Sequence, residues 1–183
     1  LEECTKIHCL CYFNLDTGEA STTRDYEVIE SLMTNPEVTI IGHNIIRFDI
    51  PVIEKLLGIK VVANPIDTLA LSWYLYPERG THNLEDWGVD FGVPKPKIDD
   101  WHNLSIEEYE HRCQEDVKIN TALWREQKDY LHYIYEGNYD SFLHYLMFKM
   151  DCAREQEEMR WKLDVRQCEE NLQKLVELKE SKK

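Results

Sequence analysis

Apolar and polar positions alternate in short runs over the first third of the chain and settle into helical spacings toward its end. Residues 5–15 are strand-like in composition, Asp16-Thr17-Gly18 is turn chemistry, and a second strand is expected at 19–22, so the chain opens as a hairpin. Thr23 or Asp25 can cap a helix carrying Tyr26, Ile29 and Leu32 on one face; Asn35-Pro36 ends it before residues 38–42, an apolar run of buried-strand type. A helix from Asp49 stops at Gly58, a strand is expected at 60–63, and another helix at 67–76. The order β-β-α-β-α-β-α predicts an α/β fold, a mixed sheet flanked by helices, rather than a bundle or a sandwich.

Residues 77–96, rich in Gly, Pro and charge, read as a loop around a short helix at 83–88. Ser105-x-x-Glu108 is a capping box, from which an amphipathic helix can run past Trp124 to about residue 130. The aromatic-rich stretch 130–148 has no clear period. Beyond Asp164, a good N-cap, Val165, Cys168, Leu172 and Leu175 recur at intervals of three and four, which predicts a closing helix with one apolar stripe. That stripe suits packing on a neighbouring subdomain, a second copy or a partner.

Composition narrows the class. The 183 residues include 35 acidic and 21 basic side chains, for a net charge of −14, and 43% are hydrophobic, enough for a real core. No apolar run approaches the roughly 20 residues of a bilayer span, so no membrane association is expected. The acid excess speaks against metal-free coating of duplex DNA, which needs a basic face. It leaves room for an enzyme that grips one strand end through cations. The whole excess lies in residues 1–148, with 26 acids against 12 bases, whereas residues 149–183 hold nine of each, so a domain boundary is expected there. Six cysteines without a C-x-x-C pair or a secretory leader read as reduced thiols in an intracellular compartment. His8-Cys9-x-Cys11 invites a metal reading, but strand alternation puts the two thiols on one face and His8 on the other, so buried thiols are the simpler expectation. The chain opens on Leu1 rather than methionine and reads as a piece of a longer protein.

Two segments carry candidate chemistry. In Gly42-His43-Asn44-Ile-Ile-Arg-Phe48-Asp49 a buried strand delivers a polar cluster at its carboxyl edge, where ligands gather in α/β sheets. Asp49 opens the next helix and could be no more than its cap. In His111-Arg112-Cys113-Gln114-Glu115-Asp116, the carboxylate of Asp116 borders an apolar helix face, an expensive position unless it is paired or bound to a cation. Two acids brought from different elements suggest oxygen ligands for a hard ion such as Mg²⁺.

These segments carry a resemblance. Asn44-x-x-x-Phe48-Asp49 resembles the second motif, and His111-x-x-x-x-Asp116 the third, of the DnaQ-like (DEDD) 3′–5′ exonucleases. Between them, Ile66-Asp67-Thr68-Leu69 and His82-Asn-Leu-Glu-Asp-Trp87-Gly88 are similar to the linking stretches of family A DNA polymerases, especially phage enzymes of the podovirus type. The opening Leu1-Glu-Glu-Cys-Thr-Lys-Ile-His-Cys9 resembles the stretch directly after the first motif in those enzymes, and Glu157-Glu-Met-Arg-Trp-Lys-Leu-Asp164 the start of their thumb. The matches run in order along nearly the whole chain, which is more specific than any one of them.

The resemblance implies an RNase H-like exonuclease domain over 1–148 and a helical extension over 149–183 that begins a thumb. It implies a proofreading enzyme acting in the cytoplasm, of the host if phage-encoded, on the single-stranded 3′ end of DNA. Its partners would be the rest of a polymerase chain and a processivity factor. Two Mg²⁺ or Mn²⁺ ions held by four carboxylates would serve hydrolysis, with His or Tyr as base. By position, Asp49 would hold the outer ion, Asp116 the inner ion, His111 would be the base, and Asn44 and Phe48 would shape the slot for the terminal nucleotide. Asp67 matches a family position but suits a helix N-cap at least as well.

The chain departs from the family in two places. The family's first motif, Asp-x-Glu, has no counterpart, since Glu2-Glu3 lacks the spacing; alignment at Thr5-Lys6 places those acids upstream of Leu1, so the chain alone is expected to be nearly inactive. Positions 111 and 116 stand about 140° apart on a regular helix, which would put Arg112 rather than His111 above Asp116. Either the helix breaks near Arg112, or an arginine that neutralises phosphate occupies the base position. The rivals are a non-catalytic nucleic-acid or partner-binding module of the same fold and an RNA 3′ exonuclease.

Overall fold

The computed structural model describes residues 4–93, 95, 98, 104–160 and 162–182. Leu1 to Glu3 of the opening match, Pro96 at the end of the expected loop and Trp161 in the thumb-like match lie outside them.

The opening is an antiparallel hairpin of β1 (Leu10–Phe13) and β2 (Ala20–Thr23), registered Leu10 to Thr23 and Phe13 to Ala20. Asn14 Oδ1 accepts from the amides of Asp16 and Thr17, and Gly18, at φ 76°, supplies the left-handed turn residue. The strand expected over 5–15 is shorter because its partner ends at Thr23. There the Thr23 hydroxyl oxygen accepts the Asp25 amide and turns the chain into helix α1 (Tyr26–Met33), whose N-cap is Asp25.

Strand β3 (Thr39–Gly42) pairs in parallel with β4 (Asn64–Asp67) across helix α2 (Asp49–Leu57), which Gly58 ends at φ 69°. The strand expected at 60–63 therefore lies four residues later. Pro65 lies within β4, where proline is tolerated on an edge strand, and β4 has no second neighbour among the described residues. Helix α3 (Thr68–Leu75) comes directly after β4 and buries Thr68, Ala70, Leu71, Ser72 and Leu75. Helix α4 (Leu84–Asp90) begins at its Asn83 cap. Helix α5 (Ile106–Tyr135) starts at the full Ser105–Glu108 capping box and runs unbroken for 30 residues. Helices α6 (Asp140–Met159) and α7 (Val165–Glu180) complete the chain, α7 capped by Asp164.

The fold is thus mixed α/β, with seven helices and two separate two-stranded sheets among the described residues. Leu71, Leu75, Trp124, Leu131 and Leu143 knit α3, α5 and α6 into one core cluster. Each fully buried leucine side chain contributes about 2 kcal/mol there. Ile29, Met33 and Ile53 form a second cluster, on which both Leu10 of β1 and Ile40 of β3 lean, so the two sheets share a floor without sharing a hydrogen-bond ladder. The chain divides into two compact units, Leu1–Asp151 and Cys152–Lys183, and the division falls inside α6. In the second unit the expected stripe on α7, Val165, Cys168, Leu172 and Leu175, is exposed. No helix among the described residues is long and apolar enough to cross a membrane.

Candidate functional site

Gly42 and Asp67 are the last paired residues of β3 and β4, so the residues after them gather at the carboxyl edge of a parallel pair. The chain folds back so tightly after β3 that a Cβ on Gly42 would lie 2.7 Å from the Ile45 side chain. Asn44 then adopts φ 64°, a left-handed conformation that asparagine tolerates better than most residues. Asp67 holds this loop in place. Its Oδ1 accepts from the amides of Asn44 (3.0 Å), Leu69 (3.0 Å) and Ala70 (3.3 Å), and its Oδ2 from that of Ile46 (3.3 Å). Asp67 is therefore the N-cap of α3 and a clamp on the loop after β3, with no exposed surface. Burial pushes its carboxyl above the ordinary range, and the amide donors pull it back.

A polar chain runs inward from this edge. The Thr68 hydroxyl donates to Asn120 Oδ1 at 2.6 Å, while Asn120 Nδ2 donates to the Ile41 carbonyl at 3.1 Å, which ties α5 to β3. Gln127 Nε2 donates to the Thr68 carbonyl at 2.9 Å. His43 Nδ1 lies 3.0 Å from the Thr68 hydroxyl oxygen. Burial drives the His43 imidazole down to about 4, and the nearby Lys95 charge acts in the same direction, so the ring is neutral at ordinary pH.

The two expected carboxylates flank this edge. Asp49 is the first residue of α2, after Phe48 in the cap position, and its carboxylate accepts from its own backbone amide. The residue is exposed as a whole, yet its carboxyl is crowded by protein. Desolvation pushes it up to about 7, with the charges of Asp67 and Asp116 adding to the rise. Water still reaches the residue, and screening keeps the stability consequence small.

Asp116 comes from α5. Its Oδ1 lies 2.8 Å from Lys95 Nζ and 3.8 Å from Arg112 Nε. Because α5 stays regular, Arg112 stands one turn from Asp116. His111 turns elsewhere, 62% exposed, with Nδ1 4.0 Å from Glu115 Oε1. The helix does not break near Arg112, so Arg112 rather than His111 lies over Asp116. Phe48 is 48% exposed beside Asp49, and the buried Oδ1 of Asn44 has no hydrogen-bond partner among the described residues.

Two carboxylates on separate elements have the donor chemistry of a hard-cation site, in which water and a substrate phosphate would supply the other ligands. They do not complete a pair of ions. Asp49 feels the charges of Asp67 and Asp116, but the three carboxylates do not converge on one point. Among the described residues, the one group of three acidic, histidine or thiol ligand atoms all within 4.8 Å of one another is a set of cysteines.

Sequence reasoning overlooked Lys95, Thr68, Asn120 and Gln127. Lys95 sits in the Pro- and Gly-rich loop, where no periodicity assigns a partner. Gln127 was detectable, since it stands four residues from both Leu123 and Leu131 on a buried helix face, and a polar residue there requires a bond. No protein-family model matches the chain, and no curated protein matches it either.

Proposed function

We propose that this chain is the proofreading 3′–5′ exonuclease domain of a DNA polymerase, RNase H-like in fold, with residues 149–183 beginning a thumb. The observation that carries this reading is the delivery of Asp49 and Asp116, from the start of α2 and from α5, to the carboxyl edge of a parallel strand pair, close enough for the charge of one to raise the pKa of the other. The split sheet supports it as well. β1 and β3 rest on one hydrophobic cluster and each has an unpaired edge among the described residues, as a mixed sheet lacking its central strand would.

Divalent cations, when bound, would supply an activated water and neutralise the phosphate. The chain's own residues would do the rest. The clamp of Asp67 fixes the loop that presents Asn44, Phe48 and Asp49. The exposed ring of Phe48 offers a stacking face for a terminal base, and Arg112 meets phosphate charge beside Asp116.

A Mn²⁺ titration with a 3′-single-stranded oligonucleotide tests the reading. Mn²⁺ binding strengthened by the oligonucleotide and lost in both Asp49→Ala and Asp116→Ala is expected, with hydrolysis by the 183-residue chain slow or absent. Binding indifferent to both substitutions would refute it. Reading the gene on the 5′ side of the Leu1 codon adds a second check, since a strand bearing Asp-x-Glu is expected there. One observation favours the rival module without catalysis: Lys95, already paired with Asp116, supplies the countercharge that a cation would. Metal-independent capture of the oligonucleotide would support that rival.

A further inference from the structure

Cys9 and Cys11 lie two residues apart as the chain enters β1, and alternation turns both thiols to the same side. That side meets α5, which presents Cys113. The three Sγ atoms all lie within 4.8 Å of one another, Cys11 buried and the other two half-buried. His8, just before β1, stacks on Tyr109 of α5 with ring centroids 4.1 Å apart, and its ring nitrogens are not among the ligand atoms that group with the thiols. We propose that Cys9, Cys11 and Cys113 form a three-thiolate site for one thiophilic d¹⁰ cation, Zn²⁺ or Cu⁺.

The geometry suits such an ion. Metal–sulfur bonds of about 2.3 Å place sulfurs about 3.8 Å apart around a tetrahedral ion and about 4.0 Å apart around a trigonal one. The trio therefore needs to contract by less than about 1 Å per pair to close on a metal. Thiolates select soft ions over Mg²⁺, which separates this site chemically from the carboxylates. Among the described residues no fourth acidic, histidine or thiol ligand joins the group, so Zn²⁺ would add a water, whereas Cu⁺ is satisfied by three sulfurs. Cys11 also lines, with Thr22 and Gln114, a groove of about 470 Å³ between the hairpin and α5. Bound metal would staple the hairpin to α5, across about two thirds of the sequence of the first unit. The proposal does not depend on the nuclease reading.

The test uses the full chain with reduced thiols under anaerobic conditions, titrated with Zn²⁺ alone and with Cu⁺ alone against chromophoric chelators. One ion per chain is expected in at least one arm, with three sulfurs at about 2.3 Å by X-ray absorption. Zn²⁺ with three sulfurs and one light atom, or Cu⁺ with three sulfurs alone, supports the site and names its ion. Cys113→Ser should weaken binding by about 100-fold or more, while Cys4→Ser, Cys152→Ser and Cys168→Ser leave it within about twofold. Chelators that retain all the metal in both arms, fewer than three sulfurs, or affinity unmoved by Cys113→Ser would overturn it. If Cys113→Ser fails to fold, the sulfur count on the unaltered chain still decides.

Discussion

Replacing Asp67 with alanine removes the acceptor of four amide N–H groups at once, two in α3 and two in the loop after β3. Loss of the helix cap costs about 1 kcal/mol. The amides of Asn44 and Ile46 lose a charged acceptor, and for groups this deep the penalty is about 1.5 kcal/mol apiece. The total, about 4 kcal/mol, is a large part of the roughly 5–15 kcal/mol that holds a typical domain together. Asparagine is the informative comparison. Oriented with its oxygen at the Oδ1 position, it keeps the bonds from Asn44, Leu69 and Ala70 and loses only the one from Ile46, where its NH₂ would face another donor. Asp67→Asn should therefore cost about 1–2 kcal/mol, at most about half the alanine penalty. Urea unfolding monitored by far-ultraviolet circular dichroism measures both, read as a shift in midpoint at unchanged slope. An alanine variant within about 1 kcal/mol of the parent would show that the clamp does not hold the loop; asparagine as damaging as alanine would show that charge, not acceptor geometry, is what matters. Mn²⁺ binding retained in Asp67→Asn, altered only modestly by the lost charge beside Asp49, is also expected, since all of the carboxylate's bonds go to amides; its abolition without loss of stability would make Asp67 a metal ligand.

The remaining predictions concern protons and countercharge. His43 titrates at about 4 when folded against 6.5 when unfolded, so the unfolded state binds more protons between those values; its contribution is complete above about pH 6.5 and is lost as pH falls through about 4. The drop from 6.5 to about 4 corresponds to about 3 kcal/mol, and unfolding of His43→Gln at about pH 4.5 and about pH 7.5 should show a flatter pH dependence than the parent. Asp49, pushed up to about 7 chiefly by desolvation, must release its proton to bind a cation, so Mn²⁺ affinity should climb as pH rises through about 7 and Asp49→Asn should abolish that climb. Lys95→Ala frees Asp116 of its nearest cation and should tighten Mn²⁺ binding several-fold in calorimetric titration; unchanged or weaker binding would mean that the lysine does not compete with metal.

Local signals in the sequence were informative where the physics is local. Gly58 ends α2 in the left-handed conformation, Ser105 and Glu108 form the reciprocal cap of α5, and Asp164 caps α7, because each depends on bonds within one helical turn. The same reasoning made the arginine position legible: the capping box favours a regular helix through residue 111, and a regular helix puts Arg112 over Asp116. The misplacement of β4 has the opposite origin. Residues 60–63 have the better strand composition, but the sheet is decided by pairing with β3, which reaches past Pro65 to Asp67. Likewise the aromatic stretch 130–148 lacked a period because it spans the end of α5 and the start of α6, and α6 divides its apolar residues, Leu143 in one cluster and Met147 and Met150 in another, while Tyr145 and Phe148 stay outside.

The two candidate sites show why faces are readable and junctions are not. Alternation alone places Cys9 and Cys11 on one side of a strand, and helical spacing alone places Cys113 one turn before Val117. Nothing in either pattern says that the strand lies on that turn of α5. That depends on the shared hydrophobic floor beneath β1 and β3 and on the contacts β1 makes along α5. The carboxylates obey the same rule. Asp49 and Asp116 each look like an isolated acid in sequence, and only the parallel register that ends at Gly42 and Asp67 gives them a common edge. Lys95 reaches that edge from a loop that has no period to betray it, which is why the shortest ion pair at Asp116 was the contact least visible in the sequence.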